Sequence, residues 1–123
     1  MKGADKILEE WGECINTHDI NRIIKLYDKD AMLWGTFSII LRDNHDLIKG
    51  YFEELFAKDN LAVSFKSSKN RVYANTFIFS GSYNLSYEDQ GLKVLPARYT
   101  FVIRKFDEDN YKIIEHHSSL VPS

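Results

Sequence analysis

Apolar residues in the first part of the chain recur at steps of three and four, with Ile7, Leu8, Trp11, Cys14 and Ile15 sharing one helical face. This spacing predicts a first helix from about Asp5 to Thr17. Thr17-His18-Asp19 breaks the pattern, and Asp19 is placed to cap a shorter second helix carrying Ile20, Ile23, Ile24 and Tyr27. After the Asp28-Lys29-Asp30 turn, Ala31–Trp34 and Phe37–Leu41 read as short strands on either side of Gly35. A third helix follows, capped by Asp43, with Asp46 in its first turn and Leu47, Ile48, Tyr51, Phe52, Leu55 and Phe56 as its stripe, ending near Lys58.

From Leu61 the period changes to two. Leu61–Phe65, Arg71–Ala74, Phe77–Tyr87, Ala97–Lys105 and Tyr111–Ser119 read as strands. Ser67-Ser68-Lys69-Asn70, Glu88-Asp89-Gln90-Gly91 and Phe106–Asn110 read as turns, and Pro96 marks a bulge or an edge. The last two strands form a long antiparallel hairpin. Alternation puts Arg98, Thr100, Val102 and Arg104 on one face and Tyr99, Phe101 and Ile103 on the other. Helices first and sheet second predicts an α+β fold in one domain, residues 1–123, whose curved antiparallel sheet wraps the three N-terminal helices as a cone around a pocket.

Composition narrows the partners. The 123 residues are 44% hydrophobic and 14% aromatic, enough for a packed core, and 16 basic against 18 acidic side chains leave a net charge of −2. No global field favours nucleic acid or an anionic membrane. With one cysteine, no leader and no apolar run long enough to span a bilayer, the chain is expected to be soluble and cytoplasmic.

Trp11, Asn16-Thr17-His18-Asp19, Leu26–Ala31, Tyr51-Phe52, Arg98–Val102 and His116-His117-Ser118-Ser119 together resemble the bacterial relatives of the calcium/calmodulin-dependent protein kinase II association domain. That family belongs to the nuclear-transport-factor-two-like, or SnoaL-like, superfamily, with a cystatin-like cone fold. The resemblance covers nearly the whole chain and implies a cone that forms dimers or, in the kinases, large rings. With no kinase segment ahead of it in this sequence, a hub role is expected to draw in a partner on another chain. The kinase hubs line their pocket with arginines, and the matching positions here are about Asn84, Thr100 and Ser118. The resemblance therefore turns these three toward the pocket, and strand parity adds Arg98 and His116 to the same face. Ketosteroid isomerases share the fold, but their base falls near Gly35, their tyrosine on Trp11 and their acid near Val102, so none of the three catalytic groups survives.

Other chemistry is weaker. His116 and His117 are strand neighbours that point to opposite faces, and His18 and His45 lack ligand spacing, so no metal site and no cofactor are expected. Asp107-Glu108-Asp109-Asn110 lacks the features of a calcium loop. Ser118 and Ser119 lack a nucleophile elbow, and Cys14 reads as core. Arg98 is open between an ion pair with Glu115 or a helix carboxylate, exposure at a strand end, and a clamp for a small carboxylate.

The sequence thus predicts a small-molecule-binding or oligomerisation module without turnover. Its ligand pocket would comprise Trp11, Tyr27, Phe52, Asn84, Arg98, Thr100, His116 and Ser118. It would form a homodimer, or a higher oligomer, through an outer patch of Tyr99, Phe101, Ile103, Tyr111 and Ile113. The alternative is an isomerase, cyclase, dehydratase or hydrolase-like enzyme acting on a hydrophobic metabolite, with His116 as acid/base and Arg98 or Tyr27 as polariser.

Overall fold

The computed structural model describes residues 2–123, and its first decisive feature is the break after the first helix. Helix α1 spans Lys2–Thr17 and ends in a left-handed residue, His18, at φ 54°. The His18 amide donates to the Ile15 carbonyl at 3.2 Å and the Asp19 amide to the Cys14 carbonyl at 2.9 Å, the paired bonds of a Schellman stop. Asp19 then caps α2, Ile20–Lys25, by accepting from the Arg22 amide. The sharp corner lets Ile23 fold back into the core beside Cys14 and Ile15.

Strand β1 (Tyr27–Trp34) follows, so Tyr27 opens a strand rather than closing the second helix as its spacing had suggested. Residues 37–41 form a loop, not a strand. The chain returns only at Arg42, which exchanges both backbone hydrogen bonds with Leu33. Helix α3 (His45–Phe56) is capped by Asn44 instead of Asp43, because the Asn44 Oδ1 accepts from the Leu47 amide at 2.9 Å.

Four long strands complete the chain: β2 (Asp59–Tyr73), β3 (Thr76–Glu88), β4 (Leu92–Asp107) and β5 (Asn110–Leu120). The curved sheet runs β1-β5-β4-β3-β2. Every pair is antiparallel except β1 with β5, so the sheet is mixed. Ser67-Ser68-Lys69-Asn70 is continuous strand, not a turn. Only Leu61 and Val63 of β2 are buried; beyond Phe65, which packs edge-on against Trp11, the strand is exposed along its length, which erases the two-residue pattern of a half-buried strand. A bulge between Phe65 and Ser67 bends it, and Gly81 makes room: a Cβ there would sit 2.0 Å from the Ser67 carbonyl oxygen.

The inner face of the sheet supplies most of the core. Phe77, Phe79, Tyr83, Leu85, Tyr99, Phe101, Ile103 and Ile113 are all buried against the helices. The outer patch expected from Tyr99, Phe101, Ile103, Tyr111 and Ile113 is therefore not outside. Four of the five are core, and Tyr111 is half-buried, packed on Phe77 and over Gly3 of α1. Burying each such side chain is worth about 1.5–3 kcal/mol, so the chain covers its most apolar sheet face with its own helices before any partner arrives.

Candidate functional site

Where the helices meet the inner face, five elements bring together one buried polar chain. Trp11 comes from α1, Tyr27 from β1, Tyr83 from β3, His116 and Ser118 from β5, and Thr36 from the loop after β1. The Trp11 Nε1–H donates to the Tyr27 hydroxyl oxygen at 3.0 Å, and that oxygen lies 2.8 Å from His116 Nδ1. The other ring nitrogen, Nε2, is 3.3 Å from the Tyr83 hydroxyl, which donates to Ser118 Oγ at 2.6 Å. Ser118 in turn pairs with the Thr36 hydroxyl at 2.5 Å.

Counting donors fixes the direction. The Tyr83 hydroxyl gives its one hydrogen to Ser118 Oγ, so toward His116 Nε2 it accepts; Nδ1 of the neutral ring then accepts the Tyr27 hydrogen, while the Tyr27 oxygen accepts from the Trp11 indole. This assigns the imidazole proton to Nε2, from which it is donated to Tyr83. Among the described residues no buried side-chain nitrogen or oxygen lacks a partner. A closed, fully paired network of this kind rigidifies its surroundings.

Aromatic faces seal it. Phe101 stacks on the His116 ring at 3.8 Å between centroids, Trp11 stacks on Tyr83 at 5.6 Å, and Phe52 leans on Tyr27 at 5.8 Å. Burial holds His116 neutral, pulling its pKa down to about 3, with the adjacent His117 adding to the effect. Burial likewise pushes Tyr27 and Tyr83 upward, beyond any physiological ionisation. Tyr51, packed over Gly35, is raised for the same reason. Cys14 is fully buried and its thiol is raised, again by desolvation.

Of the residues expected to line an interior pocket, Trp11, Tyr27, Phe52, His116 and Ser118 do converge. Arg98, Thr100 and Asn84 do not. They alternate with the buried Ala97, Tyr99, Tyr83 and Leu85, and so stand on the outer face. The register explains the correction: Tyr99 pairs with Ser118 and Thr100 with His117, one step away from the pairing that would put Thr100 beside Ser118. A one-residue offset sends every side chain to the other face. Arg98 is exposed and, among the described residues, forms no ion pair with Glu115; the ion pairs there are Arg22 with Glu10 and Glu13, and Arg42 with Glu54. The residue a sequence reading missed is Tyr83, whose aromatic type inside a strand says nothing about the imidazole it will meet from β5.

His18 and His45 are structural. The His45 Nε2–H donates to the Tyr27 carbonyl at 2.8 Å, and the His18 ring nitrogen bonds the Leu61 carbonyl at the same distance. No group of three or more metal-type side chains converges among the described residues. No helix among them is long and apolar enough to cross a membrane.

The geometry has counterparts among solved structures. A calcium/calmodulin dependent protein kinase II association-domain protein from Xanthomonas campestris superimposes with a TM-score of 0.87 at 26% identity, covering 97% of this chain and 86% of that one. The CaMKII hub of S. rosetta gives a TM-score of 0.84 at 15% identity over 98% of this chain and 95% of that one. An NTF2-like protein with a cystatin-like fold from Novosphingobium aromaticivorans gives 0.82 at 11% identity over 98% and 80%. No curated protein matches the sequence significantly. The family model for the calcium/calmodulin dependent protein kinase II association domain matches residues 3–122, and the chain belongs to that family.

Proposed function

We propose that this chain is a non-catalytic association module that assembles with copies of itself through the β1 edge of the outer face of its sheet. The observation that carries the reading is the contrast in saturation between the two faces. Inside, each nitrogen of His116 is engaged by a tyrosine, and the rings around it are in contact. Outside, Met32 and Trp34 of the edge strand β1 are 43% and 38% exposed on a sheet face that no helix among the described residues covers. An apolar surface of that kind favours a partner, and a two-fold contact lets one patch serve both copies. The likeness to a protein called a hub supports the same reading.

The enzymatic alternative is less well supported. His116 as acid/base and Arg98 as polariser stand on opposite faces, and the other pairing, His116 with Tyr27, keeps its 2.8 Å contact but is buried with both imidazole nitrogens engaged. Light scattering at micromolar concentration tests the module. A mass of two or more times 14.4 kDa is expected, falling toward 14.4 kDa in Trp34→Glu, while a wild-type mass of 14.4 kDa would overturn it.

A further inference from the structure

The centre of the outer face holds a cleft of about 210 Å³ whose lining includes Ser80, Arg98, Thr100, His117 and Ser119. Register makes it a grid. Ser80, Thr100 and His117 form one row across β3, β4 and β5, and Ser82, Arg98 and Ser119 form a second. With strands about 4.8 Å apart and same-face residues about 7 Å apart along each, the five of these that line the cleft span a patch about 10 Å by 7 Å, while the Ser82 hydroxyl pairs with Ser67 at 2.9 Å. No carboxylate is among the residues lining it. An adjoining cleft shares Ser80 and adds Lys69 and Arg71, again with no acid in its lining. In a chain of net charge −2, this is a local excess of cations. The nearest acid along β5 is Glu115, two residues before His117 and opposite Val102.

Arg98 explains little as a structural residue. It is exposed, it has neither an ion pair nor a hydrogen bond from its guanidinium among the described residues, and its strand neighbours Ala97 and Tyr99 already supply the packing. A planar fork of N–H donors amid serine and threonine hydroxyls is a complement to an oxyanion. The number of donors selects among oxyanions: a guanidinium, three hydroxyls and an imidazole exceed what the two oxygens of a carboxylate accept, and suit the three terminal oxygens of a phosphate ester.

We propose that this outer cleft binds the phosphate group of a small phosphorylated metabolite, with Arg98 gripping two oxygens and Ser80, Thr100 and Ser119 donating to the rest. The proposal rests on this geometry and not on self-association. An arginine held to one side by strand parity becomes the anchor of the face opposite the one where the sequence had placed it.

The test is a titration of the full chain with phenyl phosphate, with inorganic phosphate and benzoate as separate arms, followed by amide chemical shifts. The shifts are expected at residues 80–82, 98–100 and 117–119, with phenyl phosphate at least tenfold tighter than benzoate. Arg98→Gln should weaken it at least tenfold, Thr100→Val severalfold, and Lys49→Gln on α3 should change nothing. Thr100→Val keeps the test decisive if Arg98→Gln folds poorly. Shifts scattered over surface lysines, equal affinity in wild type and Arg98→Gln, or equal affinity for benzoate would each overturn the phosphate site. Light scattering on the same samples reads the mass independently, so a monomer that still binds phenyl phosphate would overturn only the association reading.

Discussion

His116 and His117 are consecutive residues of one strand, and they live in different solvents. His116 is buried to 2% exposure, neutral, and bonded at both nitrogens to tyrosines from distant strands. His117 stands exposed in an open cleft beside Thr100. The residue type is the same, so the difference belongs wholly to the face. On the inner face a polar group must find a partner in the protein or cost several kcal/mol, and the chain supplies a chain of hydroxyls to meet that demand. On the outer face water satisfies everything, and polar groups remain available to a ligand. The inner face is where stability is made, and the outer face is where recognition can be added without disturbing it.

Substituting each histidine breaks the comparison most directly. His116→Ala leaves the Tyr27 hydroxyl without its acceptor and opens a cavity against Phe101; the expected loss is about 3 kcal/mol or more. His117→Ala should leave the denaturation midpoint where it was. Urea unfolding of the two variants decides it, and equal losses would mean that the faces are not energetically distinct.

Acid sharpens the same contrast. The folded pKa of His116 is about 3 against an ordinary 6.5, so the unfolded chain binds the proton first. The stabilisation is complete above about pH 6.5 and is lost as pH falls from there toward 3, at up to about 1.4 kcal/mol per unit. Between pH 7 and pH 5 wild type should lose about 2 kcal/mol relative to His116→Gln, whose profile lacks this term. A difference that does not change with pH would show that His116 titrates in the folded protein as it does in the unfolded chain.

The smallest effect concerns one oxygen. Tyr83→Phe removes the group that accepts from His116 and donates to Ser118, keeping the ring stacked on Trp11. The expected cost is about 1–2 kcal/mol, readable by thermal or urea unfolding. Tyr99→Phe gives the comparison: its hydroxyl donates to the Ser67 carbonyl at the rim of the bent β2, where water can replace it.

Much of the fold was legible because its signals are local. Ile7, Leu8, Trp11, Cys14 and Ile15 could bury a common stripe only as a helix, and the alternation through Phe77–Tyr87 and Ala97–Lys105 only as strands. The stretch from Ser67 to Asn70 misled because it lies in a strand with no buried face, where the chain is free to be polar throughout. The loop at residues 37–41 misled in the opposite sense, since Phe37, Ile39 and Ile40 are apolar yet largely exposed.

The sequence by itself determined the periodicities, the helix breaks and the family, and it determined that Arg98 and Thr100 share one face while Tyr99 and Phe101 share the other. Which face looks inward was decided only by tertiary structure. Parity is a relative quantity along one strand, and it becomes absolute only when the register with β5 and the packing of the helices are set. The aromatic face went to the helices because it had the larger apolar area to remove from water, and Arg98 was carried outward with the rest of its row.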